Sequence, residues 1–209
     1  MKNESMAKKA YKELRKKILT NQLSRKVRFK EEYWAEKLKV SRMAVREALN
    51  RLLGEGLVES GLKGGYFLRT MTQADIHQLR EVREIMEIGA FKLLGGKLTN
   101  PHFKKLEAMC DHFKSMAAEG YVGGACEADI KFHETLIEYT GNQKLIIAYH
   151  ASHIPLFHKI LDKTDDYLSN HEIIDKEHRQ LIAAIRSKNL SLFEKVLNIH
   201  LSRGEKALK

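Results

Sequence analysis

The chain has 209 residues, of which 43% are hydrophobic, 31% are charged and only 2 are proline. This composition is typical of a soluble, helix-rich globular protein, and the length allows one large domain or two small ones. No apolar run approaches the roughly 18 residues of a membrane helix, and the lysine-rich N-terminus lacks the apolar core of a signal peptide. With its two cysteines outside any CxxC pattern, the chain is predicted to be cytoplasmic.

The positive charge is confined to the first third of the chain. Residues 1–69 contain 18 Lys and Arg against 8 Asp and Glu, a net charge of +10, whereas residues 70–209 contain 19 of each. A basic module joined to a neutral one indicates a part that binds a polyanion and a part with another task. A solvated lysine-rich surface is the alternative, and charge alone does not exclude it.

Three helices and a hairpin are predicted in this basic part. The first two helices have apolar stripes that contain Ala10, Leu14, Ile18 and Leu19, and then Trp34, Ala35 and Leu38. Ser41 is placed to cap a third helix, whose buried face is Ala44, Val45, Ala48, Leu49 and Leu52. Two short apolar runs, LVES and YFLR, flank GLKGG and predict a β-hairpin. This order of elements is that of a winged helix-turn-helix.

In a winged helix-turn-helix the third helix enters the major groove with its N-terminal end towards the bases. The residues at that end, outside the buried stripe, are Ser41, Arg42, Met43 and Arg46. Arginine bonds bidentately to guanine, so the sequence predicts DNA contacts there; a solvated face is the alternative. Lys63 and Gly64 in the hairpin turn are predicted to approach the DNA backbone, although wing lysines are often plain surface.

The run VSRMAVREALNRLLGEGLVE, followed by GGYFL, resembles the signature of GntR-type bacterial transcription regulators. The resemblance extends from about Tyr11 to Leu68. The chain departs from the family pattern at two places: Arg25-Lys26 stand where a Pro-Gly pair is usual, and Glu32 stands where many members have a DNA-contacting arginine. The resemblance therefore implies the fold and DNA binding but not the operator sequence.

From Thr72 onward the pattern is helical throughout. The boundary falls in LRTMTQ, which gives a DNA-binding domain over 1–70 and an all-α antiparallel bundle over 71–209. Thr72 and Asp75 are predicted to cap the first bundle helix. Its predicted inner stripe is Ile76, Leu79, Val82, Met86, Ala90 and Leu93. Five further helices are predicted. The first begins at Asn100, the second begins after Gly124, and the third extends from Gln143 to about Lys163. The fourth lies within 169–189, and the last follows a capping box formed by Ser191 and Glu194.

Four polar residues lie on or beside the apolar faces of three bundle helices. Asp129 and His133 are separated by one helical turn in EADIKFHETL. His178 follows the stripe of the KEHRQLIAAI helix, and His200 that of the VLNIHL helix. Each histidine alone is more often a hydrogen-bonded core residue than a ligand. Burying all four separately would be costly, and a shared cation would resolve that cost.

The runs DIKFH, TGN, EHRQLIAAI and IHL resemble the C-terminal sensor domain of the FadR subfamily of GntR regulators, over about Ile76 to Leu201. In that subfamily an Asp and three His hold a divalent metal, which the resemblance assigns here to Asp129, His133, His178 and His200. Zn²⁺, Ni²⁺ or Mn²⁺ are compatible with this set.

The resemblance also implies a small organic acid as effector. Arg80 and Arg83 can pair with its carboxylate. A surface ion pair of these arginines with Glu84 or Glu87 is the alternative, and is slightly favoured.

The sequence thus predicts a regulator, not an enzyme, that acts as a homodimer on an inverted-repeat DNA operator and is modulated by a metal-centred sensor. Two alternatives remain: a metal-dependent hydrolase, since a metal held by three histidines and an aspartate can activate water, and a regulator whose bundle only dimerises.

Overall fold

The computed structural model describes residues 5–19, 22–23, 28–62, 64–69, 72–152 and 170–207. The chain divides into two compact units, Met1–Met71 and Thr72–Lys209. Helices dominate both units, as expected from the composition. Among the described residues, no helix is both long and apolar enough to cross a membrane.

The first unit contains three helices: α1 is Met6–Leu19, α2 is Glu31–Leu38 and α3 is Arg42–Gly54. The predicted apolar stripes pack together, because Leu14, Trp34 and Leu49 are all buried. The Ser41 side chain accepts a hydrogen bond of 3.1 Å from the Ala44 amide and thereby caps α3, as predicted. The Leu19 side chain lies outside the described residues.

A small antiparallel sheet completes the first unit. The predicted hairpin is formed by β2, Val58–Ser60, and β3, Tyr66–Leu68, with Glu59 opposite Phe67. A further strand, β1 at Arg28–Phe29, pairs with the other edge of β3, so the strand order is β1-β3-β2. The sequence did not predict β1, because a two-residue strand is too short to show alternation.

The second unit is a bundle of helices. Their bounds are α4 Gln73–Leu94, α5 Asn100–Ala118, α6 Val122–Tyr139, α7 Gln143–Ala151, α8 His171–Arg186 and α9 Leu190–Ala207. Helix α5 packs against α6 and α8, and α9 packs against α4 and α8. The main core contains apolar side chains from α4, α5, α6, α8 and α9, including Leu106, Phe132, Leu181 and Leu197.

Three helix termini differ from their predicted places. Helix α6 starts at Val122, before Gly124, and α7 ends at Ala151; the rest of the predicted fourth helix lies outside the described residues. The predicted capping box of Ser191 and Glu194 is wrong, because Ser191 is already inside α9. The side chain of Asn189 accepts a hydrogen bond of 3.0 Å from the Leu192 amide instead.

The inner face of α4 also differs from the predicted apolar stripe. The Thr72–Asp75 capping box forms as predicted, and Ile76 and Ala90 are buried. Leu93, however, is exposed, and the buried positions include the charged residues Arg83 and Glu87. An apolar stripe drawn at helical spacing omitted them because charged residues are seldom buried unless they are paired.

Candidate functional site

The bundle brings the four predicted metal ligands together. Asp129 and His133 lie one turn apart on α6, His178 lies on α8, and His200 lies on α9. One potential ligand atom from each residue lies within 4.8 Å of all the others. All three histidines are buried, and the Asp129 side chain is 14% exposed. The set is thus almost entirely removed from water.

The Nε2 atoms of the three histidines point towards one another and towards the carboxylate. Asp129 Oδ1 lies 3.0 Å from His178 Nε2, 3.4 Å from His200 Nε2 and 4.0 Å from His133 Nε2. The Nε2 atoms of His133 and His200 are 3.0 Å apart. Two neighbouring ligands bound to one zinc-sized ion at about 2.0–2.1 Å lie about 3.0–3.4 Å apart. Three of these four distances are in that range, and only His133 is farther from the carboxylate.

The hydrogen-bonding state of His178 gives a second test of the fit. Its Nε2 lies 3.0 Å from the carboxylate, but not in hydrogen-bond geometry. Neither ring nitrogen of His178 has a hydrogen-bond partner among the described residues, although both are buried. An unsatisfied buried polar atom is costly. A cation at the centre would give the Nε2 lone pair a partner, so the residues fit a metal ion.

Electrostatics keep two of the imidazoles neutral. Burial and the nearby Arg83 charge lower the pKa of His133 to about 3, and burial lowers that of His178. Burial by itself would raise the pKa of Asp129, but the adjacent His178 and His200 rings hold it well below its usual range. Neutral imidazole and ionised carboxylate are the forms that bind metal.

His200 is the exception among the three histidines. Burial works against its charged form, but the carboxylates of Asp129 and Glu177 outweigh burial and raise its pKa to about 9. Without metal it is therefore an imidazolium at neutral pH. Its Nε2–H then donates to the Nε2 lone pair of His133, 3.0 Å away. A proton on His200 thus occupies the space between the ligands in the metal-free protein.

The two arginines of the predicted effector site differ in their surroundings. Arg80 forms a partly buried ion pair with Glu84 at 2.7 Å and a second with Glu205 at 3.0 Å. Arg83 pairs with Glu87 at 2.6 Å, but this pair is buried and not on the surface. The Nη2 atom of Arg83 has no hydrogen-bond partner among the described residues. Arg83 therefore retains an unused buried donor near the cluster, where its charge lowers the pKa values of the histidines.

Sequence reasoning missed the buried carboxylates that contact the histidines. Glu87 on α4 and Glu177 on α8 hydrogen-bond to His133 and His200 through the Nδ1 atoms. Tyr149 on α7 donates to Glu87 over 3.1 Å. The position of Glu87 one turn after Arg83 and three residues before Ala90 is a signal that it lies on the inner face. The sequence contains no signal that it meets His133.

The predicted DNA-contacting residues of α3 are exposed at its N-terminal end. Arg42 and Arg46 have exposed side chains, and Met43 is 66% exposed. Both arginines pair with glutamates of α2. Arg46 makes two bonds of 2.9 Å to Glu31, and Arg42 lies 2.8 Å from Glu32. The surface predicted to contact DNA thus has an acidic side chain beside each arginine.

The hairpin turn forms a narrow wing. Gly64 is exposed and has a φ of +80°, which favours glycine, and its amide donates to the Gly61 carbonyl over 2.8 Å. Leu62 at the tip is fully exposed. Lys63, predicted to contact the DNA backbone, lies outside the described residues.

Comparison with known proteins agrees with this architecture. Residues 6–68 match the family model "Bacterial regulatory proteins, gntR family", and residues 78–203 match the FCD domain. The transcriptional regulator LutR of Bacillus subtilis is 28% identical over 194 residues, which are 83% of this chain and 87% of LutR. The gluconate operon repressor of Bacillus licheniformis is 25% identical over 201 residues, 89% of this chain and 78% of the repressor.

Solved structures show the same fold. McbR/YncC of E. coli superposes with a TM-score of 0.80 at 16% identity, over 99% of this chain and 98% of that one. A GntR regulator from Rhodococcus superposes with a TM-score of 0.75 at 22% identity, over 98% of each chain. The relatives are transcriptional regulators and not enzymes, which removes the hydrolase alternative. The chain belongs to the GntR family of bacterial transcription regulators and carries an FCD domain in its C-terminal part.

Proposed function

We propose that this regulator binds a divalent metal ion through Asp129, His133, His178 and His200, and that a small organic acid binds beside the metal and changes operator affinity. The observation that carries the proposal is the convergence of three imidazole Nε2 atoms and one carboxylate within 4.8 Å. Imidazole and carboxylate ligands suit Zn²⁺, Ni²⁺ or Mn²⁺. The ion would supply a positive charge and open positions for a carboxylate oxygen.

Metal analysis of protein purified without a histidine tag tests the metal site. About one equivalent of metal is expected in the wild type, and much less in His178→Ala. His112, an exposed histidine on α5, gives the matched control His112→Ala, which should keep the metal. Less than about half an equivalent after incubation with Zn²⁺, Ni²⁺ or Mn²⁺, with no effect of His178→Ala, would favour a bundle that only dimerises.

Charge supports an anionic effector. Three carboxylates contact the site directly or through a histidine: Asp129, Glu87 and Glu177. Two arginines, Arg83 and Arg203, pair with the outer two. With the His200 imidazolium, the metal-free set has a net charge of zero, and a divalent ion that displaces this proton would raise the net charge to +1. One carboxylate would then neutralise it, and the unused Nη2 of Arg83 is a donor for that carboxylate.

A thermal-shift screen of small carboxylates on the metal-loaded protein tests the effector. A ligand at 100 times its Kd should stabilise the fold by about 2.7 kcal/mol. Arg83→Lys should weaken that ligand, because lysine keeps the charge but loses the planar fork. Arg80→Lys is the comparison, since Arg80 is the other predicted contact and already has two glutamate partners. A larger loss in Arg80→Lys would assign the effector contact to Arg80.

For DNA recognition we propose that Ser41, Arg42, Met43 and Arg46 face the major groove and that Lys63 and Gly64 approach the backbone. Support comes from the exposure of the α3 end and from the charge of +10 in residues 1–69. Operator binding should weaken steeply with salt and be lost in Arg46→Ala. The control Lys9→Ala removes an exposed charge from α1. Equal losses in both variants would contradict base reading by Arg46.

The apolar outer face of α4 supports a homodimer. Ile85 and Leu93 are 72% and 39% exposed, and they are eight residues apart, which places them on one side of the helix. Gly89 lies between them, with nothing within 4 Å of the position where its Cβ would be. A second copy can therefore approach α4 closely there. A dimer would present two recognition helices to an inverted repeat.

A further inference from the structure

Two of the three histidines in the cluster form a hydrogen bond to a glutamate through Nδ1, the ring nitrogen that faces away from the other ligands. The Nδ1–H of His133 donates to Glu87 Oε2 over 2.6 Å. The other oxygen of Glu87 accepts from Arg83 Nε at 2.6 Å and from the Tyr149 hydroxyl at 3.1 Å. All four side chains are buried. Glu87 is thus fixed by helices α4 and α7 while it orients a ring on α6.

His200 has the same arrangement on the other side of the cluster. Its Nδ1 lies 3.2 Å from Glu177 Oε2, and Glu177 Oε1 accepts from Arg203 Nε at 3.2 Å and Nη2 at 2.8 Å. Glu177 belongs to α8, whereas His200 and Arg203 are on α9. In both cases one carboxylate oxygen accepts a hydrogen bond from an arginine and the other accepts one from an imidazole.

His178 has no such support. Its Nδ1 is buried without a hydrogen-bond partner among the described residues. The ring is held by aromatic packing, with the centroid of Phe132 at 4.5 Å and that of Phe113 at 5.5 Å. Rotation of this ring breaks no hydrogen bond to Nδ1, whereas rotation of His133 or His200 breaks a bond to an ionised group.

We infer that Glu87 and Glu177 are positioning residues that orient His133 and His200 for metal binding, and that His178 is the ligand held by packing alone. The inference rests on the proposed metal site. A carboxylate that accepts the Nδ1 proton leaves the Nε2 lone pair towards the centre and makes the imidazole a stronger ligand. The arginine on the second oxygen holds the carboxylate in place, so that the carboxylate does not rotate away from the imidazole to be hydrated by water.

Replacement of each glutamate by glutamine tests the inference. Glutamine has an acceptor oxygen at one end and an NH₂ donor at the other, so it cannot accept from the imidazole at one end and from the arginine at the other, as the carboxylate does. We expect Glu87→Gln and Glu177→Gln each to weaken Zn²⁺ binding by about 10–100-fold in a chelator competition. The matched control is Glu84→Gln. One oxygen of Glu84 also accepts from an arginine, Arg80 at 2.7 Å, and the other accepts from Asn198 at 3.1 Å, but within the described part of the chain Glu84 contacts no histidine. Its affinity should change less than about twofold.

A second readout does not need the metal. In NMR spectra of metal-free protein, His133 should be the Nδ1–H tautomer, with its Nδ1 proton resonance far downfield because the acceptor is a carboxylate. Glu87→Gln should move that resonance upfield, while Glu84→Gln should not. If Glu87→Gln does not fold, judged by circular dichroism, Glu177→Gln carries the affinity test, because its Arg203 partner is partly exposed. Wild-type protein that binds no Zn²⁺ would refute the metal site itself. Wild-type binding that both glutamine variants retain would overturn the positioning role and leave the metal site intact.

Discussion

Acidic residues lie beside both arginines that we propose to contact DNA. Glu31 and Glu32 begin α2, and Glu32 lies 2.8 Å from Arg42, at a place where many GntR regulators have an arginine. Both side chains of this pair are more than half exposed, so the pair adds little to stability. In the proposed DNA complex the Glu32 carboxylate would compete with phosphates and bases for Arg42.

Removal of the Glu32 charge should strengthen DNA binding that does not depend on sequence. We expect Glu32→Gln to raise affinity for non-operator DNA several-fold at about 0.1 M salt, and to steepen the salt dependence by about one counterion. Fluorescence anisotropy over a salt series measures both. Glu36→Gln, an exposed residue later in α2, is the control. An equal effect of both substitutions would mean that only net charge matters.

Metal binding should release a proton from His200. Its pKa of about 9 without metal means that a proton must leave before Nε2 can bind an ion at pH 7. The pKa values of His133 and His178 are lowered, so these residues add no protons at that pH. Apparent affinity should therefore rise about tenfold per pH unit from pH 7 towards 9, and then level off.

Calorimetry in two buffers of different ionisation enthalpy counts the protons released on Zn²⁺ binding. About one is expected at pH 7.5 for the wild type. Release of none would show that His200 is neutral in the metal-free protein and that the two carboxylates do not hold its proton.

The candidate metal ligands were predictable from sequence, but the glutamates that hydrogen-bond to His133 and His200 were not. Helical spacing placed Asp129 and His133 on one face and His178 and His200 along the apolar stripes of their helices, and the resemblance assigned all four to one metal site. Whether Arg83 and Glu87 form a surface pair or a buried one depends on what α6 and α7 present to them, namely His133 and Tyr149. That information lies about 46 and 62 residues away in the chain, beyond the reach of any local pattern.

At the scale of elements, helix starts were predicted well where one polar residue precedes an apolar run. Ser41 and Thr72 cap α3 and α4 as expected. The start of α9 was predicted two residues too late, because both Asn189 and Ser191 are good caps and the Glu194 spacing favoured Ser191. In the structure Asn189 caps the helix. Local sequence does not decide between two caps that are two residues apart.

The cap of α9 can be tested by stability. Asn189→Ala should lower the free energy of unfolding by about 1 kcal/mol, because the Leu192 amide loses its acceptor. For a unit of this size that is a fall in Tm of about 2–4 °C. Ser191→Ala is the control and should leave Tm within about 1 °C. Scanning calorimetry distinguishes the two, and a larger loss in Ser191→Ala would restore the predicted capping box.

At the scale of the whole molecule, the proposed dimer depends on the outer face of α4. Ile85→Lys places a charge in the middle of the stripe formed by Ile85, Gly89 and Leu93, so it should produce a monomer at concentrations where the wild type is a dimer. Light scattering after size exclusion measures this. Operator affinity should fall as well, because two half-sites are no longer bound together.

The control for the dimer is Ile173→Lys, which changes an apolar residue on α8 that is 44% exposed. It should leave the mass unchanged. A dimer that persists in Ile85→Lys would place the contact between copies elsewhere on the bundle.

Helix α4 connects the two proposed surfaces by its geometry. Arg83 and Ile85 are two residues apart, about 200° around the helix axis, so one faces the histidine cluster and the other faces away. Side-chain ends lie about 5–6 Å from the axis, and a rotation of about 10° would move both by about 1 Å in opposite directions. An effector that pulls Arg83 sideways would thus rotate α4 about its own axis. Ile85 would move in the opposite direction, and the second copy of the chain packed against it would shift with it.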